Sequence, residues 1–146
     1  GTIKIGEVDN YFGPAGQRRW DYYTDSSGEG AIVQSNVNYF INATGTLYVR
    51  LPETPSSGDM IRFVDISGNL KYDLRLVIRA ATGHTVQGDG TNIASTIITG
   101  TTHLGGELIV TTPHAAFGLV YAGQLNSDGS ASGIPTAQQG WWLMEI

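Results

Sequence analysis

The residues of this chain able to do acid–base, nucleophilic or metal chemistry stand in no recognised catalytic or metal-binding spacing. Its three histidines, His84, His103 and His114, are far apart, without the short ligand intervals of a metal centre built within one chain. Only a ring of symmetry-related histidines on a threefold axis would gather three of them. Asp59 and Asp65 flank a β-rich run, and six residues of extended chain place them about 20 Å apart. A glycosidase pair needs roughly 5 to 10 Å. Each is more simply a turn residue, Asp59 after Gly58 and Asp65 before Ser67-Gly68-Asn69. Asp89 in QGDGTN could open a calcium loop, but one carboxylate among glycines is far more often a plain turn residue.

The remaining signatures fail in the same way. GEGAIV, at 28–33, begins like a dinucleotide fingerprint, yet it lacks the third glycine and the strand–helix frame, and reads as a turn. GxSxG, GKS or GKT, and HExxH are all absent. With no cysteine, neither a disulfide nor a thiolate ligand is available. These residues lead to the expectation of a protein that is not an enzyme, with no catalytic residue, metal or cofactor.

Binding residues are a better prospect. Trp20, Tyr22 and Tyr23 in RRWDYYTD are aromatics beside charges, which stack on sugars or anchor a protein partner. The plainer alternative, favoured because aromatics more often contribute buried area, is that they pin their own segment to the body. Asn42-Ala43-Thr44 matches a glycosylation acceptor, a frequent chance match. Net charge is -5 and the basic residues are scattered, with Arg18-Arg19 the only adjacent pair. No phosphate-binding stripe appears, so nucleic acid is not an expected partner. No apolar run is long enough to cross a bilayer, and GTIKIGEVDN lacks the apolar stretch of a signal peptide.

The elements that must position these residues are β-strands. Charged residues are 14% of the chain and glycines number 20 of 146, against typical shares of about a quarter and about 7%. No segment holds a 3.6-residue apolar period, whereas short β-rich runs recur between turn formers. Strands are expected near 31–41, 46–51, 60–66, 74–80, 93–99, 106–112, 116–122 and 141–146, in a sandwich or barrel. Residues 1–30, too aromatic for a free linker, read as an extended arm preceding a domain over 31–146. Residues 123–140 read as a long surface loop before the last strand.

Several of these strands are apolar on both faces. Ile61, Phe63 and Asp65 alternate with Met60, Arg62, Val64 and Ile66. Phe117, Leu119 and Tyr121 alternate with Ala116, Gly118, Val120 and Ala122, and Trp141 and Leu143 with Trp142, Met144 and Ile146. One face belongs to the core. The other is covered either by the arm and loop or, the preferred reading, by a neighbouring chain, as in obligate oligomers. Met60, Val64, Ile66, Val120, Trp141, Trp142, Met144 and Ile146 are thus expected in core or interface. LRLVIRA differs, with Leu74, Leu76 and Ile78 inward and Arg75 and Arg79 outward, so that strand should have one wet face.

The run LPETPSSGDMIRFVDISGNL (51–70), followed by LVIRAATGHTVQG (76–88), FGLVYAG (117–123) and GWWLM (140–144), resembles a β module of tail-fibre and baseplate proteins of tailed bacteriophages. The matching positions are Leu51, Pro52, Pro55, Gly58, Asp59, Asp65, Gly68, Asn69, Gly88, Tyr121, Gly140 and Trp141. The nearest likeness is the trimeric C-terminal domain of a baseplate wedge protein or short tail fibre of contractile-tailed phages. The resemblance implies a homotrimeric, non-enzymatic virion part that joins other tail proteins, with a host receptor or surface glycan as an alternative partner. Together with the strand reading, it gives an antiparallel β-sandwich of about eight strands with an N-terminal arm, the C-terminal fragment of a longer virion protein.

Overall fold

A computed structural model describes residues 19–99 and 105–145. Over these residues the chain is built from strands and turns, with one 3₁₀ turn at Thr136–Gln138 and no α-helix. The strands are β1 (Trp20–Tyr23), β2 (Ala31–Ile32), β3 (Asn38–Ile41), β4 (Leu47–Arg50), β5 (Met60–Asp65), β6 (Leu76–Arg79), β7 (Val86–Gln87), β8 (Ala94–Ile98), β9 (Glu107–Val110), β10 (Ala116–Ala122) and β11 (Gly140–Glu145). They form a six-stranded sheet, β1-β3-β5-β10-β11-β7, and a five-stranded sheet, β2-β4-β6-β9-β8. Side chains from both sheets meet in one apolar core.

The all-β, sandwich-like class agrees with the sequence reading, but both sheets are mixed rather than antiparallel, and there are eleven strands among the described residues rather than about eight. The reason lies in the path of β1 to β6, which alternates between sheets. Each strand pairs in parallel with the next but one: β1 with β3, β3 with β5, β2 with β4, and β4 with β6. Parallel neighbours need a long crossover, and here the crossover is a strand of the facing sheet. From β8 onward the pairing is mostly antiparallel, with β10 between β5 and β11.

The run 31–41, expected as one strand, divides into β2 and β3 and passes from one sheet to the other. Asn36 makes the break. Its backbone is left-handed, at φ 66°, a conformation that asparagine tolerates better than most residues. Its side chain accepts from Met60 N at 3.1 Å and donates to Asp59 Oδ1 at 3.3 Å. β1 extends the six-stranded sheet beside β3, so the expected arm is part of the sheet from Trp20 onward, while residues 1–18 lie outside the described residues.

Alternation fixes which side chains enter the core. In β5, Ile61, Phe63 and Asp65 are buried while Met60, Arg62 and Val64 are only partly so. Tyr39, Phe63 and Phe117 lie in register across β3, β5 and β10, and their rings stack at 5.9 and 5.3 Å. Tyr23 meets Tyr39 edge-on at 6.3 Å. Such cross-strand aromatic pairs add to the area they bury. Tyr23 also donates its hydroxyl hydrogen to the Tyr48 carbonyl and accepts from Ala31 N, tying the two sheets together.

Asp65 is the one buried carboxylate among the described residues, at the end of β5. Its Oδ1 accepts from Ser67 Oγ at 2.5 Å, Ser67 N at 3.1 Å and Gly68 N at 3.2 Å, and its Oδ2 from His114 N at 3.0 Å. The turns after β5 and before β10 thus close on one side chain. Gly68 has φ 68°, and a Cβ there would collide with the His114 ring. Asp65→Ala would remove the one acceptor that these part-buried donors share and is expected to cost about 2 kcal/mol, measurable by urea unfolding. Asp65→Asn, which keeps one carbonyl acceptor, is expected to cost less.

Candidate functional site

The face of the six-stranded sheet turned away from the core is the feature that the sequence residues converge on. Register places its side chains in three transverse rows. One runs Trp20, Asn38, Arg62, Gly118, Met144. The next runs Tyr22, Phe40, Val64, Ala116, and the third Met60, Val120, Trp142, Gln87. Arg62 is the only charged residue in these rows. Gly118 gives the face its relief, since Met144 and Arg62 approach it from the two flanking strands and a Cβ there would meet Met144 Cε at 3.3 Å.

The predicted residues divide between this face and the core. Met60, Val64, Val120, Trp142 and Met144 lie on the face, each half-buried. Trp141 is in the core, fully buried, and Ile66 is exposed just beyond β5. Ile146 lies outside the described residues. Trp20 and Tyr22 are on the face, 38% and 62% exposed. Tyr23, grouped with them as a candidate for partner binding, is instead a core residue, because alternation turns it to the opposite side of β1 from Tyr22.

Local contacts hold the face in shape. Trp20 stacks on Phe40 at 4.6 Å with 18° between the rings. Asn42 Nδ2 donates to the Tyr22 hydroxyl at 2.6 Å, and Trp142 Nε1 donates to the Gln138 carbonyl at 2.8 Å, anchoring the last strand to the 123–140 segment. That segment is folded on itself, with a bridge between Leu125 and Ala131 and with Asp128 Oδ1 accepting from Ser130. Phe40 and the relief at Gly118 were missed from the sequence. Phe40 alternates with Tyr39 and Ile41, a pattern that would have placed it opposite the core, but it was hidden inside one long run.

The carboxylates expected to serve turns do so. Asp59 accepts from Ser56 N at 3.0 Å and from Asn36. Asp89 accepts from Thr91, and its carboxyl is held below the usual range, first by the Thr91 hydroxyl and then by the Thr91 amide. Among the described residues no cluster of three or more His, Cys, Asp or Glu could hold a metal, and no helix is long and apolar enough to cross a membrane. Gly30, in the stretch read as a turn, has φ 84° and lies against the Tyr48 carbonyl, where a Cβ would not fit.

Compared with known protein families and with curated proteins, the chain matches none of them.

His84 is packed where it has little hydrogen bonding to offer. Its ring lies 5.3 Å from Tyr121, which in turn lies 5.1 Å from Trp141. Among the described residues, His84 Nδ1 and Trp141 Nε1 are buried without a partner. Burial pushes the His84 pKa below its ordinary 6.5. The unfolded chain therefore takes up this proton first, and stability is lost as pH falls through the unfolded value. Melting temperature is expected to drop between about pH 7.5 and about pH 5.5, with a shallower drop in His84→Phe, which keeps the ring contact and removes the titration.

Proposed function

We propose that the chain is a structural, non-enzymatic part of a phage tail baseplate or tail fibre, assembling as a rigid homotrimer that positions other tail proteins in the virion. The observation that supports this most is the two-sided apolarity of the six-stranded sheet. One face of β5, β10 and β11 fills the core, and the opposite face carries Met60, Val64, Val120, Trp142 and Met144 with a single charge. A soluble monomer rarely presents a broad apolar face, whereas an obligate interface resembles a core cut in two. In a closed threefold assembly a face turned toward the axis is covered by its symmetry mates. The motif resemblance at 51–70 and 140–144 supplies the phage assignment, and the low charge of the chain accords with a surface largely covered by partners.

The mechanism is mechanical. Stacked aromatics within the core and turns closed by buried hydrogen bonds make a stiff body, and stiffness is what a part that transmits force between neighbours needs. A second reading, a tip that binds a host receptor or surface glycan, is favoured by the exposure of Trp20 and Tyr22. It predicts host-cell binding that is lost on Trp20→Ala with Tyr22→Ala.

Light scattering on the purified chain tests the assembly reading. A trimer at micromolar concentration is expected, and Val64→Glu with Val120→Glu is expected to yield folded monomers, since both side chains lie on the outer face. A wild-type chain that is a stable monomer would overturn the proposal.

A further inference from the structure

The second site lies on the other sheet and stands apart from the assembly reading. On the outer face of the five-stranded sheet, one row runs Ile32, Arg50, Arg79, Glu107, Ile98, each residue in register with the next. Two guanidinium groups therefore rise side by side from neighbouring parallel strands, an arrangement that like-charge repulsion disfavours unless each is held. Both are held through Nε. Arg79 Nε donates to Glu107 Oε2 at 2.9 Å, and its guanidinium lies 4.7 Å over the Tyr48 ring. Arg50 Nε donates to the Gly30 carbonyl at 3.1 Å. That leaves the Nη edges, the part of each fork that matches a carboxylate in bidentate fashion.

Both arginines line a cleft of about 420 Å³, with Glu29, Glu53 and Thr82 also on its wall. Small-molecule sites run roughly from 300 to 1,000 Å³. Glu29 lies 3.5 Å from Arg50 Nη1, but its side chain is 78% exposed, so it is a loose counter-ion that contributes little and is readily displaced. Glu53 adds a carboxylate that accepts hydrogen bonds and repels anions. The cleft thus offers forked cationic donors and anionic acceptors together. Inorganic phosphate, in large part a dianion at neutral pH, is repelled by Glu53 and Glu29 more strongly than a single carboxylate is. A neutral sugar has no charge with which to displace Glu29. A hydroxylated acid satisfies both sets.

We propose that this cleft binds a polyhydroxylated carboxylic acid of the uronic acid type, with its carboxylate on the Nη edges of Arg50 and Arg79 and a hydroxyl donating to Glu53. Calorimetric titration of the folded chain with glucuronate, glucose and inorganic phosphate tests it. Saturable binding of glucuronate is expected, with glucose and phosphate at least about tenfold weaker. Arg50→Lys keeps the charge and loses the fork, and is expected to weaken glucuronate about tenfold or more at an unchanged circular dichroism spectrum. Arg79→Gln is expected to act likewise, and Glu53→Gln to narrow the margin over phosphate. No saturable glucuronate binding, phosphate binding as tight as glucuronate, or unchanged glucuronate binding in folded Arg50→Lys would each overturn the proposal.

Discussion

The buried carboxylate of Asp65 is the constraint on which the centre of the fold depends. It terminates β5, the strand that lies between β3 and β10 and takes part in both parallel and antiparallel pairing. By accepting from the turn that follows β5 and from the turn that precedes β10, it fixes one end of the β5–β10 ladder, where Val64 meets Ala116. The same turn is anchored further by Asn69 Nδ2, which donates to the Ala43 carbonyl, and by Ser67 Oγ, which accepts from Ala43 N. A buried carboxyl group is costly unless its oxygens find hydrogen-bond partners, and here the requirement is turned into register. Slippage of β10 against β5 by one residue would exchange Phe117 and Leu119 for Gly118 and Val120 in the core.

With register fixed, the two faces of the six-stranded sheet acquire separate tasks. The inner face carries the Tyr39, Phe63, Phe117 stack and the fully buried Trp141. The outer face repeats the apolar character with Val64, Val120, Met60 and Met144 around Gly118, bordered by the aromatics Trp20, Tyr22, Phe40 and Trp142. The five-stranded sheet divides differently. Its inner face is aliphatic, while its outer face mixes Tyr48, Arg50, Arg79 and Glu107, so the two outer surfaces of the sandwich differ in the partners they suit.

Much of this was legible from residue types. Alternation in 60–66 and 116–122 correctly separated Ile61 and Phe63 from Met60 and Val64, because apolar burial enforces a two-residue period. Turn chemistry at Gly58-Asp59 and Ser67-Gly68-Asn69 was equally readable, since those residues act within their own neighbourhood. Strand partners were not. Whether β3 pairs with β4 or passes it by depends on where the chain goes between them, and Asn42 to Thr46 carry no mark of a sheet change. The winding of β1 to β6 leaves no fixed sequence period, because Trp20 reaches Asn38 and Asn38 reaches Arg62 by loops of different length. Short strands such as Val86–Gln87 exist only through their neighbours, and the Arg50 and Arg79 pair, far apart in sequence, becomes a site only when β4 lies against β6.

The borders of the two sheets have a bearing on growth. Of the four border strands, β2 and β7 offer only two residues each to an incoming strand, β8 carries a register irregularity between Ala94 and Thr96, and β1 offers four residues. Short or irregular borders are poor templates for strand addition, the route by which β proteins run on into fibrils. Where such borders sit beside a broad apolar sheet surface, contact between faces is favoured over lengthening of the sheets.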